Sequence, residues 1–258
     1  ATSKVKYARD GDVAIITLND PGTLNSMDET MANGLGDAIT QAGREARAAV
    51  ITGEGRAFCS GANLTPGGSL KGGKMDAGES LERVFNPLMT RLRDMPIPFV
   101  TAVNGAAAGV GCSVGIVGDL VIAGESAYFL QAFRRIGLVP DGGSSYMLPR
   151  AIGRARAMEM MLMGDKIPAK TALDWGLVNR VVPDAEVMST ALGLAQELAR
   201  GPRSLALIRK LVWGSLDNEF ANQLKMEREL QREAGNTSDF VEGVAAFRDK
   251  RPAKFTGA

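Results

Sequence analysis

The chain has 258 residues, 45% of them hydrophobic, with 30 Lys and Arg against 29 Asp and Glu. That length and apolar content can bury a large core, and the balanced charge lacks the basic excess that drives sequence-independent nucleic-acid binding, so no nucleic-acid partner is expected. There is no histidine, and the only cysteines are Cys59 and Cys112; this excludes Ser-His-Asp and Cys-His nucleophiles, His-ligated zinc and a disulfide framework, and leaves acid/base work to Asp, Glu, Lys, Tyr or Cys.

No basic and apolar leader precedes the first strand-like run, so a cytoplasmic location is expected. That run, "VAIITL" (Val13 to Leu18), ends at the turn signal "NDPG". A helix follows, its start marked by Ser26 and Glu29 in capping-box spacing and its middle weakened by Gly34 and Gly36. "AAVITG" (Ala48 to Gly53) reads as a buried strand, "EGRAFCSGANL" as a small-residue loop, and glycine-rich residues 65–80 as a long mobile loop facing substrate. "ESLERVFNPLMTRLRDM" is helical by apolar spacing despite Pro87.

"PIPFVTAVNG" returns to a strand and enters an uncharged stretch from Phe99 to Gly118 with GxxxG spacings at Gly105/Gly109 and Gly111/Gly115. Five glycines, Asn104 and Ser113 make it a packed core element rather than a membrane span, so no membrane partner is expected. "DLVIAG" is another strand, and from about residue 144 the pattern turns helical, with Pro168 opening one helix and Gly176 closing it. After the short strand "LVNRVV" come amphipathic helices, clearest in "DNEFANQLKMERELQREAG". The fold class is α/β, divided into a core at 1–200 and a helical subdomain at 201–258.

Three segments could carry chemistry. The glycines at 109, 111 and 115 fall as G-x-G-x-x-x-G, which is not the dinucleotide fingerprint; they suit either tight helix packing or close approach of backbone N–H groups to developing negative charge. "RAFCSGANL" is lined with small side chains that fit a cramped turn or backbone-mediated recognition. Asp141, in "VPDGG", is a natural turn or N-cap residue ahead of "SSYMLPR", or else a presented carboxylate. The cysteines read as small buried hydrophobes, Arg134 and Arg135 as solvated charges, and "MEMMLMG" as core.

In order along nearly the whole chain, "AFCSGANL", "AVNGAAAGVGCSVGIVGDLVIAGESAYF", "IGLVPDGGSSYMLPRAIGRARAMEMMLMGDKIPAKTALDWGLVNRVV" and "EGVAAFRDKRPAKF" resemble the crotonase superfamily, the enoyl-CoA hydratase/isomerase fold. The resemblance implies a spiral of ββα units, a C-terminal helical region that assembles homotrimers or hexamers, and an acyl-CoA thioester substrate whose coenzyme A is carried as part of the substrate, with no separate cofactor. It implies oxyanion donors at the N–H groups of Ala62 and Val110, an adenine pocket along Ala57 and Ala62, and a contact of Lys250 with the CoA phosphates of a neighbouring subunit.

Ser113 and Phe133 stand where hydratases of this family carry two glutamates, Thr23 where a Lys or Arg is common, and Asn63 where an Asp is frequent. Without the glutamates, syn hydration lacks its acid and base. Asp141 then matches the aspartate of crotonase-fold isomerases, including those of the phenylacetate pathway. The resemblance implies isomerisation of 3-enoyl-CoA to 2-enoyl-CoA or opening of a ring-epoxide thioester. The alternatives are hydration by another carboxylate, such as Asp76, Glu79 or Glu82, and a silent acyl-CoA-binding protein.

Overall fold

The structure, a computed structural model, describes residues 3–63 and 76–258. Two strands, β1 (Val5–Asp10) and β2 (Val13–Leu18), form an antiparallel hairpin. β1 was not expected, because "VKYARD" sits at the sheet edge, buries only Val5 and so carries little apolar periodicity. Helix α1 (Glu29–Glu45) follows.

Its cap corrects the sequence reading. Asp28, not Ser26, is the N-cap, accepting the Met31 N–H at 2.8 Å. The reason is upstream: Met27 is held in a parallel bridge to Ala62, so helical geometry cannot begin at Ser26.

Strand β3 (Ala48–Gly53) is buried throughout, and β4 (Ala57–Cys59) lies inside the segment expected to be a loop. The expected mobile loop lies at 65–75 outside the described residues. Helix α2 (Asn86–Arg93) is preceded by a wider π turn, Leu81–Phe85, in which the Asn86 N–H bonds the Leu81 carbonyl. The extra residue accommodates Pro87, which has no N–H and whose ring would strike the carbonyl four residues back.

The uncharged stretch becomes β5 (Phe99–Val103), β6 (Ala106–Ala108) and α3 (Val110–Ile116). Then come β7 (Leu120–Gly124), β8 (Tyr128–Leu130), α4 (Ser144–Ile152), α5 (Arg154–Met163), β9 (Ile167–Pro168), α6 (Ala169–Asp174) and β10 (Arg180–Val182). Four helices finish the chain: α7 (Val187–Ala199), α8 (Ser204–Ser215), α9 (Phe220–Gly235) and α10 (Ser238–Arg248). No helix among the described residues is long and apolar enough to cross a membrane.

The larger sheet has the order β1-β2-β3-β5-β7-β10 and the smaller β4-β6-β8-β9. From β3 to β8 the chain alternates between them, giving one strand to each sheet per turn, which is the spiral implied by the resemblance. Side-chain alternation divides the core accordingly. Ala48 and Val50 pack with Val187, Ala191, Ala195 and Ala199, the four-residue stripe of α7, whereas Ala49 and Ile51 face Phe58, Phe99 and Val103 between the sheets.

Two further readings are corrected. In the methionine-rich helix α5 Met160 is buried, but Met158 is 42%, Leu162 59% and Met163 55% exposed, so only one side of it is core. Arg134 and Arg135 are exposed yet not merely solvated: they donate to the carbonyls of Leu162, Met163 and Gly164, tying the loop after β8 to the end of α5.

Candidate active site

The site is set by two parallel neighbours of the smaller sheet. β4 and β6 run side by side, so the residues beyond their C-terminal ends, Ser60 to Asn63 and Gly109, emerge together. This is the edge at which parallel strands commonly present ligand-binding loops. Gly61 (φ +103°) and Gly109 (φ +54°) are both left-handed, and neither tolerates a side chain well: a Cβ on Gly61 would lie 2.9 Å from the Ala108 carbonyl oxygen.

Each glycine is followed by a free main-chain donor. Met27 takes the Gly61 carbonyl (2.7 Å) and gives its own carbonyl to Asn63 N–H (3.0 Å), so the N–H of Ala62, between those partners, points to the opposite side. Val110 is the first residue of α3, where an N–H has no partner within the helix. Among the described residues neither N–H donates to an acceptor. The structure thus brings Ala62 and Val110 together.

Phe133 is buried, with its Cζ 3.8 Å from the position of a Cβ on Gly109. Ser113 is fully buried one turn beyond Val110, and its hydroxyl donates to the Asp141 main-chain carbonyl at 3.2 Å. The Gly142 backbone is pressed onto the same helix face: a Cβ there would lie 2.8 Å from Ser113 Oγ and 3.2 Å from Val110 Cγ2. Asp141 therefore joins Val110 across α3.

Asp141 does not cap a helix with its side chain; its carbonyl accepts from Ser144 N–H (3.1 Å) and Ser144 Oγ (2.8 Å), and the N-cap of α4 is Gly143. The carboxyl is left over. Its Oδ1 is buried with no hydrogen-bond partner among the described residues, and burial raises its pKa to about 6. No donor offsets that burial.

The remaining predicted residues are placed differently. Ala57 is buried inside β4, and its carbonyl accepts from Asn25 Nδ2 at 2.8 Å. Lys250 follows α10 in the helical region with a φ of +50°, outside this constellation. Thr23 is exposed, and its carbonyl accepts from Ser60 Oγ at 3.1 Å. Asp76, Glu79 and Glu82 are all exposed. Burial of Cys59 and Cys112 pushes both thiols up to about 12, which removes them as nucleophiles near neutrality.

Sequence reasoning passed over two residues. Ser144 had no signal beyond its place after "DGG". Gln131 is fully buried with its amide against the Cys112 thiol, and it precedes Phe133 with nothing in the sequence to mark it.

The pattern of the enoyl-CoA hydratase/isomerase family matches residues 8–258. The chain belongs to the enoyl-CoA hydratase/isomerase family. A Rhodobacter capsulatus protein named probable enoyl-CoA hydratase is 43% identical over 98% of both chains. The 1,2-epoxyphenylacetyl-CoA isomerase of Escherichia coli K12 is 42% identical over 95% of both. Among solved structures, an enoyl-CoA hydratase from Polaromonas sp. JS666 superposes with a TM-score of 0.89 at 34% identity, covering 98% of this chain and 99% of that one. The crotonase fold and the family are thereby fixed, while relatives of nearly equal identity carry hydratase and isomerase names.

Proposed function

We propose that this family member is an acyl-CoA isomerase in which Asp141 is the acid/base and the N–H groups of Ala62 and Val110 bind the thioester oxygen. The observation that carries the reading is the carboxyl of Asp141: one oxygen buried without a partner, the pKa raised to about 6 by burial, and the backbone abutting the helix that begins with Val110. A base with that pKa is largely ionised at neutral pH, yet holds a proton well enough to return it.

In the proposed reaction Asp141 removes a proton from C2 of a 3-enoyl-CoA. The electron pair delocalises onto the thioester oxygen, where two main-chain donors stabilise the dienolate, and the Asp141 carboxyl, whose proton exchanges with water while the dienolate is held, protonates C4 to give the 2-enoyl-CoA. No redox partner is needed, and coenzyme A enters only as part of the substrate. Ser113 and Phe133 support isomerisation over hydration, since a hydroxyl already donating to a carbonyl and a phenyl ring cannot position and deprotonate water. The ring-epoxide thioester named for the E. coli relative is the second substrate class, favoured by the 42% identity to that protein.

The test is a panel of 3-enoyl, 2-enoyl and ring-epoxide CoA thioesters incubated in deuterated water and followed by mass spectrometry. Deuterium exchange with double-bond migration, or ring opening, lost in Asp141→Asn while acetyl-CoA still binds, supports the assignment. Rapid hydration of crotonyl-CoA would instead support the hydratase name of the R. capsulatus relative, and binding without turnover a silent acyl-CoA-binding protein. We also propose that Phe220, Phe240, Val241 and Phe247, 54–85% exposed in the helical region, are covered in a homotrimer or hexamer, which light scattering of the purified protein measures.

A further inference from the structure

The carboxyl of Asp141 accepts no hydrogen bond from any described residue, so its own side chain does not fix its position. What is fixed is its peptide carbonyl, which receives Ser144 Oγ at 2.8 Å, Ser144 N–H at 3.1 Å and Ser113 Oγ at 3.2 Å. Both serines are fully buried. The chain leading into Asp141 gives little other support: Ile136, Leu138 and Val139 are 42–79% exposed, and Gly137, Gly142 and Gly143 all have positive φ.

We propose that Ser113 and Ser144 are positioning residues for catalysis, two hydroxyl struts that aim the Asp141 carboxyl by holding its main-chain carbonyl against α3. This rests on the acid/base role proposed for Asp141. Ser113 matters most, because it is the strut that reaches across from the helix whose first residue, Val110, carries a proposed oxyanion donor. Residues three apart on α3 then set both ends of the reaction, and the distance between donor and base is the geometry of one helical turn.

Gripping the carbonyl also has a chemical advantage over gripping the carboxyl. A donor placed on the carboxylate would favour its charged form and lower its pKa, weakening the base. A donor on the peptide oxygen orients the group and leaves the pKa high. The serine that stands where hydratases of the family carry a glutamate would thus have exchanged a catalytic role for a supporting one.

Ser113→Ala and Ser144→Ala each remove one hydroxyl with almost no change in volume, so the pair gives two independent routes to a folded variant. With 3-hexenoyl-CoA as substrate, each is expected to lower kcat about tenfold while KM stays within about twofold, the pattern of lost transition-state positioning. The acid limb of the pH profile should move from near 6 toward the ordinary aspartate value of about 4, as the loosened carboxyl hydrates. Adding Ser113→Ala to Asp141→Asn should cost nothing more, because the strut has nothing left to aim.

Wild-type kcat and an unmoved acid limb in both serine variants would overturn the inference. So would an equal loss from Ser113→Ala with and without Asp141. Full isomerase activity in Asp141→Asn alone would instead overturn the acid/base reading beneath it.

Discussion

Gly61 and Gly109 meet backbone to backbone: a Cβ on Gly61 would lie 3.8 Å from the Cα of Gly109, and one on Gly109 would lie 3.7 Å from the Cα of Gly61. This contact sets the separation of the N–H groups of Ala62 and Val110, each the residue after one of the two glycines. Gly109 combines φ +54° with ψ −129°, a region an L side chain avoids. Gly109→Ala therefore has room beside Phe133 but must rotate its backbone, and with it the Val110 N–H. Loss of one donor of this kind costs about a hundredfold in kcat. Steady-state kinetics should show that loss with acetyl-CoA affinity reduced far less; an unchanged kcat would remove Val110 from the proposed oxyanion site.

Cys59 and Cys112 make a simple prediction about reactivity. Both are fully buried, and burial pushes both thiols up to about 12. Only the thiolate is nucleophilic, so neither should react with a thiol reagent in the native protein at pH 8. Ellman titration should count no thiols before denaturation and two after it, and iodoacetamide should leave activity intact.

A buried ion pair ties helix α8 to the residue before β7. Arg209 of α8 bonds both carboxyl oxygens of Asp119 and reaches the carbonyls of Met95 and Leu92, while Asp119 also accepts the Phe99 N–H at 2.9 Å. Burial raises the Asp119 pKa, with Arg209 pulling the other way. Arg209→Met strands that carboxylate and should cost about 3 kcal/mol, read as a fall of roughly 10 °C in Tm. Asp119→Asn in the same chain should recover part of it, and additive losses would show that the pair is not coupled.

Of the ten strands among the described residues, β2, β3, β5, β7 and β10 were legible in the sequence, all in the larger sheet, where apolar runs such as "AAVITG" and "DLVIAG" face two layers of core. β1 and the four strands of the smaller sheet, β4, β6, β8 and β9, were not. β1 is a charged edge strand, and the others are only two or three residues long, ordered by their neighbours rather than by their own propensity. The cap of α1 was misplaced for a similar reason: Ser26 and Glu29 fit a local rule, but the bridge from Met27 to Ala62 spans 35 residues and overrides it.

The candidate site divides the same way. Asp141, Ala62 and Val110 are the residues the family resemblance points to, and the proline and glycines around them are what the sequence itself displays: each proposed donor follows a glycine of positive φ, and Asp141 precedes two. Ser144 was not, because its role lies in a bond to a carbonyl three residues back, and a serine after two glycines has no distinguishing chemistry until the turn is folded.

Asp141 ties activity and stability together with opposite signs. Its carboxyl titrates near 6 in the folded protein and near 3.9 in the unfolded chain, so between those values the folded state binds more protons. By linkage, the contribution of this group to stability is greatest below pH 4, falls as pH rises from about 4 to 6, and is flat above. At pH 8 the ionised carboxylate is held at a net cost of about 1–2 kcal/mol, after allowance for its partial contact with solvent. Asp141→Asn removes the charge at nearly constant volume. It should raise Tm by a few degrees at pH 8 and leave it unchanged at pH 4, while cutting proton exchange at pH 8 to a residual level. Activity of the wild type should fall as pH drops through 6, because protonation disables the base in the same window in which it relieves the folded state. Thermal melts of the two proteins across pH 4–8 measure the effect directly, and a variant less stable than wild type at pH 8 would mean that the carboxylate is gripped by a donor rather than stranded by burial.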